Sequence, residues 1–270
     1  MGEGAKRSTG EVETGSDIGA IIREISRRGA LRCNSGLKIS YMAKRPSKLE
    51  RGSPARVSLI LSEAHLDAAI EALRENDTET VERMLAVAGP PPLRKRPAGL
   101  PGLAWIVISQ QVSAASAAAI HGRLQTRFPN IDAAALLAAS DEDLRACGLS
   151  APKMRTLRAI ANAVDSGALD LDALAAMDAD AARAALTRVK GVGPWTADVY
   201  LLFCLGLPDV WPSGDLALQE AARMALRLRS RPDAKRLEKI GERWRPWRAA
   251  AARLLWAYYG AQLAARKSGA

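Results

Sequence analysis

The chain has 270 residues, of which 48% are apolar, and a formal charge of +10 at neutral pH. That length and apolar content suit one large or two modest cores and exclude a chain that is disordered throughout. The excess of Lys and Arg favours an acidic partner, nucleic acid or another anionic surface, and no apolar run is long enough to span a membrane as a helix.

Residues 1–17 are polar and glycine-rich and predict no fixed structure. A short helix is expected over 18–28, a basic aperiodic stretch over 37–50, and a short extended piece over Arg56–Leu61. Periodicity becomes clear at Ser62, which suits an N-cap for a helix carrying Leu66, Ala69, Ile70 and Leu73 on one face. Thr78 is expected to cap the next helix, which Pro90, Pro91 and Pro92 end. The stretch PPPLRKRPAGLPG then reads as a linker or rigid surface loop, with a basic patch at Arg94, Lys95 and Arg96. From Leu103 the pattern is helical to Ala264. Leu103, Ile106, Val107 and Gln110 give one helical face that continues towards Ser113, and helices are expected over Ala114–Phe128, Ala133–Ala138 (capped by Asp132), Asp141–Cys147 (capped by Ser140) and Pro152–Ser166. Asp170 and Asp180 start two short helices. Pro194–Leu205, Leu216–Leu228, Asp233–Trp244 and Pro246–Ala264 follow. Strand signals are almost absent, so the class is all-α.

Cys33, Cys147 and Cys204 are too scattered for a metal cluster or a disulfide framework, and His65 and His121 are the only histidines. A reducing cytoplasm fits this usage. The N-terminus lacks the apolar segment of a secretory signal.

The segment LTRVKGVGPWTADVYLLFCLG, followed by VWPSGDLALQ, carries the chemistry. Gly191 and Gly193 permit a sharp hairpin between two helices, and Pro194 suits the first turn of the second. Amides near Gly191, Gly193 and Trp195 are then free to receive a phosphate, with Lys190 adding charge. A monovalent cation, Na or K, is a further candidate to bridge that phosphate and the hairpin carbonyls near Val189 and Gly191, with no direct signal for it in the sequence. The plain alternative is an ordinary helical corner. Asp215 opens the next helix, and either Ser213 or Asp215 caps it. Taken alone, Asp215 reads as a cap; as an acid at a helix start beside a phosphate site it suits a cation. Asp209, after a proline, reads as a turn acid. Asp198, one turn into its helix, favours that helix's positive end.

Four segments together resemble the helix-hairpin-helix DNA glycosylase superfamily, most of all its DNA-3-methyladenine glycosylase II branch. They are LAWIVISQQVSAASAAAI (103–120), LSAPKMRTLRAIA (149–161), LTRVKGVGPWTADVYLLFCLGLPDVWPSGDLAL (186–218) and RWRPWRAAAARLLWAYY (243–259). The resemblance implies two helical lobes flanking a cleft, with the hairpin gripping the backbone of duplex DNA and a damaged base flipped into the cleft. It assigns the catalytic acid to Asp215 and the base pocket to Trp195, Trp256, Val199 and Tyr258. Val199 stands where close relatives have an aromatic. The wedge that fills the vacated stack falls on Gln111, with Gln110 and Ser113 at the same surface. Lys190, Gly191, Gly193, Ser113 and Lys153 would hold the backbone, with Arg155 as a weaker candidate; the Arg94–Arg96 patch would touch flanking duplex, and Arg248 either resembles an arginine near the cleft or is structural. Bifunctional relatives carry a lysine where this chain has Trp195, so a hydrolase without lyase chemistry is implied. No cofactor is required, and with no cysteine after Cys204 the iron–sulfur cluster of some relatives is not expected.

An alkylated purine such as 3-methyladenine or 7-methylguanine is cationic and leaves readily, which suits a chain without a histidine acid and predicts aromatic walls. Six tryptophans beside two phenylalanines fit that need, although Trp244 and Trp247 are expected in core or interface packing and Trp211 is open. The chain divides into a divergent segment 1–61, a first lobe 62–113 completed by 232–264, and a hairpin lobe 114–231. A monomer acting on DNA in the cytoplasm follows. Competing readings are a glycosylase for a neutral lesion such as hypoxanthine or uracil, a non-catalytic DNA-binding hairpin, and a helical scaffold.

Overall fold

A computed structural model describes residues 58–268. The expectations for residues 1–57, Cys33 included, lie outside the described residues. Residues 58–61 are described and depart from the poorly structured segment expected up to 61: Ile60 is buried and its amide donates to the Gly206 carbonyl at 2.7 Å.

Every regular element among the described residues is helical. Helix α1 (Glu63–Asn76) starts where Ser62 Oγ accepts the His65 amide, and it buries the expected face of Leu66, Ala69, Ile70 and Leu73. Helix α2 (Thr78–Ala88) is preceded by Asp77 rather than capped by Thr78. Thr78 is already helical, and its hydroxyl donates back to the Arg74 carbonyl at 2.7 Å. The prolines do not end α2; Gly89 does, at φ +68°, which no α-helix can continue.

Helix α3 (Gly99–Ser109) takes the last residues of the supposed loop into its first turn. Pro101 is tolerated there because first-turn amides have no helical partner. Helix α4 (Ala114–Arg127) is capped by Ser113, α5 (Ala133–Ala138) by Asp132 and α6 (Asp141–Ala146) by Ser140, each side chain accepting an amide of the first turn. Helix α7 (Ala151–Asp165) follows, then a 3₁₀ turn (Ala173–Ala176). The cap of α8 (Ala179–Thr187) is Asp178, not Asp180: Asp178 Oδ1 takes both the Asp180 and Ala181 amides. Helix α9 (Pro194–Tyr200) widens into a π-turn (Leu201–Leu205) that stops at Gly206, φ +72°. Helices α10 (Leu216–Ala225), α11 (Ala234–Gly241, with a 3₁₀ turn Glu242–Trp244) and α12 (Arg248–Ser268) complete the chain.

Two lobes result. In one, α12 packs on α1, α2 and α10, with α11 against α10. In the other, α3 packs on α4, α7 and α9; α5 and α6 lie on α7, and α8 lies on α9. The lobe boundaries thus differ from the sequence division. Helix α3 sits in the hairpin lobe because it is apolar on nearly every side and must be enclosed. Helix α10 sits on α12 because its buried Ala217, Ala221, Ala222 and Ala225 allow close approach to the buried alanines Ala249–Ala252.

The lobes are stapled by Arg253 of α12, which is 4% exposed. Its guanidinium donates to the Leu93 carbonyl and, at 2.8 Å, to the Leu202 carbonyl of the π-turn, and it lies 4.6 Å from the Phe203 ring centroid. Burial pulls its pKa down to about 10. Gly206 makes a second closure. A Cβ there would stand 2.5 Å from the Ile60 carbonyl oxygen, in a backbone conformation that alanine resists. Gly206→Ala is therefore expected to lower unfolding free energy by more than about 1 kcal/mol, read as a reduced urea midpoint at unchanged slope.

Candidate active site

The hairpin between α8 and α9 is built from backbone. The Val189 amide donates to Leu186 and the Val192 amide to the Val189 carbonyl, at 3.1 and 3.0 Å. Gly191 has φ +93°, and a Cβ there would lie 2.3 Å from Thr156 Oγ1 of α7; only glycine satisfies both demands. Val192 is buried under the turn. Gly193 precedes α9 at φ −85°, with open space where a Cβ would project. The amides of Gly191, Gly193 and Trp195 have no backbone acceptor. Gly191 and Lys190 are exposed. Three unpaired donors at a helix start form a concavity of positive potential. The Val189 carbonyl is engaged by Val192, while the Gly191 carbonyl accepts no backbone bond.

Asp215 is the N-cap of α10 and is also buried, at 1% exposure. Ser213 does not cap. Asp215 Oδ1 accepts the Leu218 amide at 2.7 Å and Trp256 Nε1 at 3.1 Å; Oδ2 accepts Trp195 Nε1 at 2.9 Å. One carboxylate thus joins its own helix, the hairpin helix α9 and the C-terminal helix α12. Burial pushes its pKa up, and the Leu218 amide and the two indoles pull it back.

The aromatic cluster at Trp256 includes Phe203, which the sequence reading did not name, and Tyr258, which it did name, lies on another side of the helix. Along α9 and its π-turn, Trp195, Val199 and Phe203 recur every fourth residue, and all three are half-buried while most of their neighbours are fully buried. An α-helix advances about 100° per residue; the π-turn advances less, which brings Phe203 back towards the Trp195–Val199 stripe. Phe203 stacks on Trp256, centroids 5.6 Å apart and planes at 21°. The fourfold spacing from Trp195 was the available signal for Phe203. Tyr258, in contrast, lies two residues beyond Trp256, about 200° around the helix. It faces away from Trp256, and its hydroxyl meets Gln262 Nε2 at 3.3 Å. Half-buried Tyr259, three residues on, shares Trp256's side instead. Trp211 and Trp244 are fully buried against each other, their indoles donating to the Leu237 carbonyl and Asp77 Oδ2. Trp247 is half-buried.

The turn after α3 separates the two glutamines. Gln110 is extended and points inwards, its Nε2 donating to Thr196 Oγ1 at 2.8 Å. Gln111 is exposed, at φ +56°. Ser113 beside it spends its oxygen on the Ser116 amide as the α4 cap. Lys153 is half-buried: its ammonium donates to the Ile108 carbonyl at 2.7 Å, which leaves two of its three N–H donors without a protein acceptor, and burial lowers its pKa. Arg155 and Lys95 are exposed, whereas Arg94 and Arg96 are half-buried, Arg96 lying 4.2 Å over the Trp105 ring.

Asp198 and Asp209, the other acids considered, are engaged in ion pairs. Asp198 Oδ1 meets Arg183 Nε at 2.5 Å, joining α8 to α9; burial drives its pKa up to about 6 against the pull of Arg183. Asp209 is not a simple turn acid: it receives Arg248 at 2.6 Å and Arg245 at 2.5 Å. Arg248 is 1% exposed and also meets Glu238, so it is structural. Among the described residues no group of three or more His, Cys, Asp or Glu is arranged to hold a metal ion, and no helix is long and apolar enough to cross a membrane.

Residues 104–246 match the model of the HhH-GPD superfamily of base excision DNA repair proteins, and the chain belongs to that superfamily. Within it the chain falls in the alkylpurine, or 3-methyladenine, DNA glycosylase branch. It is 34% identical over 156 residues to DNA-3-methyladenine glycosylase 1 of Schizosaccharomyces pombe, covering 56% of this chain and 68% of that one. Its fold is similar to that of a DNA-3-methyladenine glycosidase from Bacillus halodurans, with TM-score 0.64 and 31% identity over 71% of this chain and 89% of that one. It is also similar to a 3-methyladenine DNA glycosylase of S. pombe in complex with abasic DNA, with TM-score 0.61 and 30% identity over 71% and 94% of the two chains.

The raised pKa of Asp215 has a measurable sign. The folded chain takes up this proton more readily than the unfolded chain, so the contribution of Asp215 to stability falls as pH rises from the unfolded value through the folded one. On acidification its carboxylate should protonate above the ordinary value of about 3.9, weakening the acceptor for two indoles. Tryptophan emission is expected to change in that range in the parent chain and to stay flat in Asp215→Asn.

Proposed function

We propose that the protein is a monofunctional DNA glycosylase that removes alkylated bases of the 3-methyladenine and 7-methylguanine type from double-stranded DNA. The observation that carries this reading is the Asp215 carboxylate, fixed between two indoles beside a hairpin of free amides, in a chain of the 3-methyladenine glycosylase branch.

Base departure breaks the bond between C1′ and the ring nitrogen, and the electron pair leaves with the base. A base alkylated at a ring nitrogen is already cationic and needs little acid assistance. The sugar is left electron-poor at C1′, and Asp215 is the catalytic residue that stabilises that charge. Water then adds to C1′ and gives its proton to Asp215 or solvent. Trp195, Val199, Phe203 and Trp256 form the wall against the flipped base, because electron-rich rings favour a cation. Gln111 fills the vacated stack. The Gly191, Gly193 and Trp195 amides and Lys190 hold a strand phosphate. The Val189 and Gly191 carbonyls would hold a monovalent cation, which adds charge neutralisation at that phosphate when bound. With Trp195 where a lyase has its lysine, no Schiff base forms. The chain acts as a monomer in the cytoplasm. Removal of a neutral lesion such as hypoxanthine is the second reading; the lack of an aromatic at Val199 favours it by leaving that part of the wall less selective for a cation.

Two variants test the reading. Asp215→Asn is expected to bind methylated duplex DNA as the parent does and to release free base about 100-fold or more slowly; release at the parental rate refutes the role of the acid. At the hairpin, Gly193→Ala should leave affinity within about twofold because space is open there. Gly193→Asp should weaken binding at least about tenfold at fixed salt by setting a negative charge at the phosphate. Equal dissociation constants for the two variants would rule out phosphate binding at this hairpin.

A further inference from the structure

The wedge turn is held at both ends by groups that belong to other elements. After Ser109 the chain leaves α3 through extended Gln110 and then Gln111 at φ +56°. That conformation costs a residue with a Cβ roughly 1–2 kcal/mol, and here no glycine relieves it. Two tertiary hydrogen bonds hold the turn. Lys153 of α7 donates to the Ile108 carbonyl at 2.7 Å, and Gln110 Nε2 donates to Thr196 Oγ1 at 2.8 Å. Thr196 is 3% exposed and is the third residue of α9. Its neighbour Trp195 supplies both a free amide to the hairpin and the indole bond to Asp215. The first turn of one short helix therefore touches the phosphate-holding hairpin, the buried carboxylate and the wedge turn.

We propose that Thr196 is a positioning residue that, through Gln110, couples the hairpin's grip on the strand to insertion of Gln111. This rests on the glycosylase reading given above. The Thr196–Gln110 bond fixes the distance between the gripped phosphate and the wedge, so that the flipped nucleotide arrives in register with Asp215. Gln110 is then part of the coupling and not a second wedge. Lys153 serves the same turn from the other side, holding the carbonyl end of α3 so that the strained Gln111 conformation persists.

Thr196→Val keeps the shape of the side chain and removes the acceptor. It is tested with Thr196→Ser, Gln110→Leu and the double variant Thr196→Val/Gln110→Leu. Two readouts are taken on the same methylated duplex: the dissociation constant by anisotropy, and the rate of unstacking by fluorescence of a 2-aminopurine placed beside the lesion. Thr196→Val should leave the dissociation constant within about twofold and slow both unstacking and base release about tenfold, the equivalent of one hydrogen bond of about 1.4 kcal/mol. Thr196→Ser should restore the parental rate. The double variant should be no slower than either single one, as for two residues that act through one bond. Parental unstacking by Thr196→Val, failure of serine to rescue, or additive losses would each overturn the coupling while leaving the glycosylase reading intact. A parent chain that neither unstacks the reporter nor releases base would refute the glycosylase reading, and the coupling with it.

Discussion

The site depends on keeping one carboxylate out of water without neutralising it by a cation. Burying an isolated carboxylate costs several kcal/mol, and Asp215 has no Lys or Arg among its hydrogen-bond partners. Three N–H donors replace its water, and hydrogen bonds to a charged acceptor return roughly 1.5–3 kcal/mol each. The donors come from three helices, so the carboxylate is satisfied only when the two lobes stand in one arrangement. The fold is thereby tied to the chemistry: the contacts that compensate the buried charge also fix its position before any ligand arrives.

Two of these three helices, α9 and α12, also carry the aromatic cluster. Helix α9 presents Trp195, Val199 and Phe203 along one side, and the π-turn is what aligns the last of them with Trp256. A π-turn leaves backbone bonds weaker than an α-helix does. Here it is held from outside, by Arg253 at the Leu202 carbonyl and by Ile60 at Gly206. Residues on α12 and at the start of the described chain thus determine the shape of a surface formed by α9. The ion pairs Arg183–Asp198 and Arg248–Asp209 do comparable work behind the hairpin and at the lobe junction. Both are largely buried, which makes them poor sources of net stability and strict constraints on geometry.

Much of this was legible in residue order. Ser62, Asp132, Ser140 and the Pro194 start are signals that act within one helical turn, and they fell where local rules put them. So did the glycine hairpin, whose tight Gly191 has both a steric and a conformational reason, and the placement of Asp215 at a helix start. Where local signals compete, reading them failed. Thr78 and Asp180 are acceptable caps, but Asp77 and Asp178, one and two residues earlier, already occupied the cap positions. The prolines after α2 are strong breakers, and Gly89 had ended the helix before them.

The sequence by itself determined the helical class, the hairpin and the acid that follows it, because each is encoded by residues a few positions apart. Only the tertiary structure decided which donors meet that acid, that Phe203 rather than Tyr258 packs on Trp256, that Gln110 turns inwards while Gln111 turns outwards, and that α3 and α10 exchange lobes. Those outcomes depend on contacts between residues 20 or more positions apart, 20 for Trp195 with Asp215 and 86 for Gln110 with Thr196, where a side chain's direction is set by the element packed against it and no short-range pattern records the choice.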